Sequence, residues 1–159
     1  MTARGERPSV RLSEDEAWDV VAASHTGILT TLRADGVPIA LPVWFVVVER
    51  TVVMRTPSAT KKVARLRRNP TASFLVESGE RWAELRAVHL TGQVEVAPVE
   101  GDLAETVATK WDEKYAGSTT ARRDMPEATR RAYGAGFTLL RMVPDRRILS
   151  WDNTRLPLG

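Results

Sequence analysis

The chain contains no cysteine, which excludes disulfide frameworks, thiolate zinc sites, iron–sulfur ligation and cysteine nucleophiles together. Redox chemistry, if present, has to come from a bound group. Histidine is nearly as scarce: His25 and His89 are the only two, too few and too far apart to form a metal set, and both read as packing or loop residues. No His-Glu-x-x-His, Gly-x-Ser-x-Gly or Walker-type loop occurs, so the common signatures of metalloprotease, hydrolase and nucleotide chemistry are missing. Long hydrophobic runs are missing as well. The longest, Ile39 to Val48, is too short to cross a bilayer, and the start of the chain carries Arg4, Glu6 and Arg7 where a secretory signal needs an apolar core. The expectation is a soluble, cytoplasmic protein with no membrane partner.

Acidic residues are absent from one stretch altogether. Between Glu49 and Glu77 there is none, while Arg50, Arg55, Lys61, Lys62, Arg65, Arg67 and Arg68 all fall there. Over the whole chain, 23 basic residues nearly balance 20 acidic ones, for a net charge of +3. That balance argues against a general nucleic-acid coat and for one local anion site. The basic stretch also lacks interleaved aromatics, so no nucleic-acid partner is expected.

What is present is enough for a single core. The chain has 159 residues, of which 43% are hydrophobic, the size and composition of one domain. Met1–Arg11 reads as a mobile leader and residues 12–159 as the domain. Ser13 with Glu16 three residues on is a capping-box spacing, predicting a helix to about Ala23. Extended chain follows: Ile28 to Leu32, a turn at Ala34-Asp35-Gly36, then a strand from Val37 to Val48 that is apolar on both faces and therefore expected to be covered twice. Further strands are predicted over Thr51–Thr56, Thr71–Glu77, Trp82–Val96 and Phe137–Val143. A helix carrying Val63 and Leu66 should be capped by Ser58 and stop at Asn69-Pro70. Another places Leu103, Val107, Trp111 and Tyr115 on one face, and a third should start near Asp124. The tail Arg147–Asp152 is extended again. The fold class is mainly β with flanking helices, an α+β arrangement with a six-stranded antiparallel barrel.

Lys61 and Lys62 fall in the first turn after the Ser58 cap, where the helix dipole makes cations unfavourable. Two readings are open: a solvated basic helix face, or a phosphate site built from free N–H groups, the hydroxyls of Thr56 and Ser58, and the charges of Arg55, Lys61 and Lys62. Trp82, Trp111, Tyr115, Tyr133 and Trp151 are candidates for an aromatic substrate pocket. Amphipathic spacing favours a core role for Trp111 and Tyr115, leaving Trp82 and Trp151 as the pocket candidates.

The order of elements resembles a known family. Gly27-Ile-Leu-Thr-Thr-Leu-Arg-Ala-Asp-Gly36, Pro42-Val-Trp-Phe-Val46, Arg55-Thr56, Lys62-Val-Ala-Arg-Leu-Arg-Arg-Asn-Pro70 and Ala72-Ser-Phe-Leu75 together are similar to the pyridoxamine 5′-phosphate oxidase-like split-barrel superfamily, over about Leu12 to Leu156. The closing Ser150-Trp-Asp-Asn-Thr-Arg-Leu156 is similar to the end of its actinobacterial flavin/deazaflavin oxidoreductases. The resemblance implies a homodimer with two cofactor sites at the subunit interface, holding FMN or the deazaflavin coenzyme F420. It implies that Pro42, Val43 and Trp44 run beside the cofactor ring and that Arg55, Thr56, Ser58 and Lys62 approach its phosphate. Lys61, and Arg65 where relatives often carry Asn, add cations that suit the oligoglutamyl tail of F420, with FMN as the alternative. The implied activity is hydride transfer between bound F420 and a small conjugated or aromatic molecule. A non-catalytic carrier or sensor of the cofactor is the other outcome the fold allows. The sequence identifies no catalytic acid and no metal ligand.

Overall fold

The computed structural model describes residues 9–157. Of the expected leader, residues 1–8 lie outside the described residues. Its end is tied down: the Val10 carbonyl accepts from Asp152 N–H at 2.7 Å, and the Arg11 carbonyl accepts from the Arg155 guanidinium at 3.1 Å. Helix α1 (Glu14–Ala23) begins where the capping box puts it, with Ser13 N–H donating to the Glu16 carboxylate at 2.7 Å and Glu16 N–H to Ser13 Oγ at 3.3 Å.

Strands β1 (Gly27–Leu32), β2 (Pro38–Val43), β3 (Val46–Val48) and β4 (Thr51–Pro57) follow, then α2 (Lys61–Arg68), β5 (Thr71–Ser78) and β6 (Arg86–Pro98). The chain continues through α3 (Gly101–Tyr115), α4 (Glu127–Gly134), β7 (Phe137–Pro144) and β8 (Leu149–Asp152). The strands form one sheet in the order β2-β1-β5-β6-β7-β4-β3, with β8 also on β6 and every pairing antiparallel. The two edges of that sheet are consecutive in the chain. Val43 ends one edge and Val46 begins the other, so only Trp44 and Phe45 connect them and the two Cα atoms stand at most about 11 Å apart. The sheet therefore curls round until its edges nearly meet, and since β2 and β3 do not pair, a gap is left at Trp44-Phe45.

The sheet has eight strands where six were expected. One extra strand is the tail segment β8. The other arises because the single strand expected over Val37–Val48 is broken at Phe45, whose N–H donates to the Tyr115 hydroxyl at 2.8 Å. Its backbone is thus satisfied by a side chain from α3, freeing the two halves to pair with β1 and β4. The first half is also not covered twice: Pro38, Ala40, Leu41 and Pro42 are exposed.

Other boundaries moved for local reasons. Ser58 is not the cap of α2. Its N–H donates to the Gly136 carbonyl at 3.0 Å, prolonging the β4–β7 ladder, and the helix starts two residues later behind Thr60, whose side chain makes no cap bond. The last of the predicted helices starts at Glu127, not Asp124, because Pro126 holds Met125 extended (φ −84°, ψ 147°) and leaves Arg122–Asp124 as a single 3₁₀ turn. Trp82 lies in another such turn ahead of β6.

The core fills the inside of the curled sheet, with Leu29, Phe45, Met54, Phe74, Leu90 and Leu140 all nearly or fully inaccessible. Gly27 makes this possible at one end, because a Cβ there would stand 2.1 Å from the Phe74 ring. A smaller cluster of Val46, Val53, Val107 and Leu139 fixes α3 to the outer face, with Leu103 and Trp111 packed against it.

A cleft at the gap in the barrel

The gap between β2 and β3 opens into a cleft. A chamber of about 490 Å³ is lined by Pro42, Val43 and Trp44 from one edge, Met54, Arg55, Thr56 and Pro57 from β4, Lys62 from α2, and Thr26, Trp111 and Tyr133. A second chamber, of about 510 Å³, shares Trp44, Arg55, Trp111 and Tyr133 with the first. It continues to Ser118, Thr119, Thr120, Arg122, Met125 and Phe137. Both are of the size that takes a small organic ligand.

The polar end of the first chamber suits an anion. Thr56 Oγ1, on a residue that lines the chamber, is buried with no hydrogen-bond partner among the described residues, a state that costs about 1–3 kcal/mol unless something bonds it. Burial, helped by the charge of Arg65, pushes the Lys62 ammonium below its ordinary pKa, so a negative group beside it would be favoured. Among the described residues neither Lys62 nor Arg55 has a carboxylate within ion-pair distance. Arg55 instead stacks over the Phe137 ring at 4.3 Å.

The apolar wall is built around Trp44. Its indole stacks on the Tyr115 ring, and the His25 ring meets both edge-on at 5.6 and 5.0 Å. The Tyr115 hydroxyl oxygen lies 2.9 Å from the carbonyl oxygens of both His25 and Phe45, either of which accepts its proton. Burial pushes the Tyr115 phenol up, partly offset by its bond to the Phe45 backbone, so it stays a neutral structural donor.

Of the residues singled out from the sequence, Pro42, Val43, Trp44, Arg55, Thr56 and Lys62 are brought together in this chamber. Ser58 and Lys61 are not among its lining residues; Lys61 is exposed at the start of α2. The basic stretch thus splits. Arg50 pairs with Glu14 and Asp15 on α1, while Arg65 Nε donates to Thr31 Oγ1 at 2.8 Å and Arg68 to the Leu32 carbonyl at 2.9 Å, tying α2 to β1.

Trp82 and Trp151 line neither chamber. Trp82 is 63% exposed, and Trp151 lies on β8 opposite Ala87. Both belong to the region where Asn153 Nδ2 donates to the Trp82 carbonyl at 2.7 Å. The aromatic lining comes instead from Trp44, Trp111, Tyr133 and Phe137. Trp111 serves the core and the cleft at once, which a helical stripe cannot distinguish. Arg122 and the Ser118–Thr120 run carry no periodicity and were not found from sequence; a polar run between two helices is the only signal they leave. Among the described residues no group of three or more His, Cys, Asp or Glu is placed to hold a metal ion, and no helix is long and apolar enough to cross a membrane.

Comparison with known proteins agrees with this architecture. The pyridoxamine 5′-phosphate oxidase family model matches residues 13–147. A conserved hypothetical protein from Mycobacterium tuberculosis is similar in structure at TM-score 0.77 and 31% identity, over 96% of this chain and 94% of that one. A protein described as an F420 reductase superposes at TM-score 0.60 with 20% identity, over 82% of this chain and 94% of its own. A heme binding protein from Mycobacterium smegmatis does so at 0.64 and 20%, over 91% of this chain and 60% of its own. Among curated protein sequences no match is found. With the family model covering most of the chain, and with a curled antiparallel sheet whose open edge carries the cleft, this protein belongs to the pyridoxamine 5′-phosphate oxidase family.

Proposed function

We propose that this protein is an F420-dependent oxidoreductase, transferring hydride between a bound deazaflavin and a small conjugated or aromatic substrate. The observation that carries the reading is the orphaned Thr56 hydroxyl, buried beside Lys62 and Arg55 in a chamber whose lining includes no acidic residue. A cofactor phosphate at that point would receive a hydroxyl hydrogen bond and two charge-assisted ones. Pro42, Val43 and Trp44 would then flank the ring, with Trp44 held flat by Tyr115.

When bound, the deazaflavin supplies the redox chemistry. The chain orients and shields. Its apolar wall limits water at the ring, and its cations hold the anionic end, so the reacting faces meet in one geometry. FMN would use the same phosphate contacts and is the alternative. Exposed Lys61 next to Lys62 favours the acidic-tailed deazaflavin. The family's dimer is part of the proposal, supported by the apolar residues that the β2 edge leaves exposed, as is a cytoplasmic location, supported by the lack of cysteine.

The test is titration of the purified protein with F420, FMN and hemin separately, following tryptophan quenching, then turnover of reduced cofactor with enones, quinones and nitroaromatics. Preferential F420 binding with turnover is the expected result. Tight binding without turnover would make the protein a carrier, FMN preference a flavoprotein, and hemin preference would overturn the reading.

A further inference from the structure

Besides the shared Arg55, the second chamber carries a cation that the first lacks, Arg122. The chamber's lining contains no acidic residue, and Arg122 lies at the far side of the shared residues from Lys62, which lines only the first chamber. Two neighbouring arginines are engaged, Arg123 with Asp124 at 3.8 Å and Arg131 with Glu127 at 3.1 Å. Arg122 has no carboxylate within 4.0 Å among the described residues, although Asp124 is two residues away. Its terminal nitrogen lies against Gly134, where an added Cβ would stand 3.3 Å from it. The absence of a side chain there gives the guanidinium room. The chamber's wall is aromatic: Trp111 and Tyr133 belong to the shared waist, and Phe137, which lines this chamber alone, meets Tyr133 edge-to-face at 5.1 Å.

We propose that the second chamber takes a planar aromatic carboxylate, its acid group on Arg122 and its ring against Trp111, Tyr133 and Phe137. As the substrate's chamber it rests on the cofactor reading above. A carboxylate fits because one guanidinium presents two parallel N–H donors at carboxylate spacing. Ser118, Thr119 and Thr120 add hydroxyl groups to the lining. A flat conjugated ring fits because the wall offers π-faces and edges, and the chamber joins the first along residues they share, so the ring would lie next to the flank of Trp44.

The experiment compares cinnamate and benzoate with their neutral amides, binding followed by tryptophan quenching, in wild type, Arg122→Gln and Arg122→Lys, each with and without saturating F420 or FMN. The wild type should prefer each acid over its amide by at least about tenfold, the scale of one charge-assisted bond. Arg122→Gln should erase that preference while leaving amide affinity and cofactor affinity unchanged, and Arg122→Lys should restore only part of it. Equal affinity for acid and amide in the wild type would overturn the proposal, as would a preference that survives Arg122→Gln. So would an Arg122→Gln effect confined to F420 affinity, which would assign the arginine to the cofactor tail. If no cofactor binds yet the Arg122-dependent acid preference is found, the cofactor reading fails and this one stands. If F420 binds and the preference is absent, the reverse holds.

Discussion

The indole of Trp44 lies flat on the phenol ring of Tyr115, 4.3 Å between centroids and 5° between planes. Trp44 belongs to the gap in the barrel and Tyr115 to the last turn of α3, so this stack couples the helix to the wall of the cleft. The same tyrosine accepts the Phe45 N–H and so holds open the break between β2 and β3. Tyr115→Phe keeps the ring but orphans that buried N–H. The expected cost is about 1–3 kcal/mol in urea unfolding, together with a changed tryptophan emission, since the ring stacked on Trp44 loses the hydroxyl bonds to His25 and Phe45 that anchor it.

Removing the charges of the first chamber should weaken cofactor binding and little else. For Lys62→Ala or Arg55→Ala, loss of about 1.5–3 kcal/mol corresponds to roughly ten- to hundredfold weaker binding of the preferred cofactor. Stability should rise slightly for Lys62→Ala, because a partly buried cation is removed. Unchanged affinity in both variants would place the phosphate elsewhere.

The edge strand β2 gives a test of assembly. Leu41 on β2 is 41% exposed and Val37, just ahead of the strand, 43%; among the described residues β2 pairs only with β1, an arrangement that invites pairing with a second copy. Wild type is expected to sediment as a dimer and Leu41→Lys as a monomer with weakened cofactor binding. A wild-type monomer that binds cofactor normally would remove the interface site from the model.

Acid should loosen the joint between the two ends of the chain. The Ser13 backbone N–H, then the Arg155 guanidinium at 2.5 Å, hold the Glu16 carboxyl down from 4.5 to about 2. Because the folded pKa lies below the unfolded one, the contribution is complete above about pH 4.5 and is lost as pH falls through 2. Glu16→Gln should therefore flatten the acid limb of the stability curve between pH 4.5 and 2 and leave the neutral region with a smaller, pH-independent deficit.

Lys114 gives the same sign of pH dependence in a higher window. Burial pushes its ammonium from 10.5 down to about 8; it has no hydrogen-bond partner and faces the Phe45 ring at 3.7 Å. Between pH 8 and 10.5 the unfolded chain keeps a proton that the folded chain has released, so stability rises with pH over that window. In Lys114→Met the rise should be absent, as measured by chemical unfolding at intervals from pH 7 to 10.5.

Local signals were legible wherever one residue's neighbours in the chain decide its state. The Ser13–Glu16 capping box, the stop of α2 before Pro70, and the stripe Leu103, Val107, Trp111 and Tyr115 all depend on spacing within a few turns, and all are found. The cluster Pro42, Val43, Trp44, Arg55, Thr56 and Lys62 was legible too, because a hairpin and the helix after it keep these segments adjacent. What needed the tertiary structure was every choice made by a distant partner. Phe45 leaves its strand because Tyr115, 70 residues on, takes its N–H. Ser58 extends a strand instead of capping a helix because Gly136 lies beside it. Arg50, Arg65 and Arg68 are engaged by Glu14, Thr31 and Leu32 and line neither chamber of the cleft. Trp82 and Trp151 lie off the cleft, whereas Arg122 is brought onto it by the segment between α3 and α4. A sequence determines hydrogen-bonding capacity and charge residue by residue; which partner satisfies each group is decided only when the folded chain brings distant segments within bonding distance.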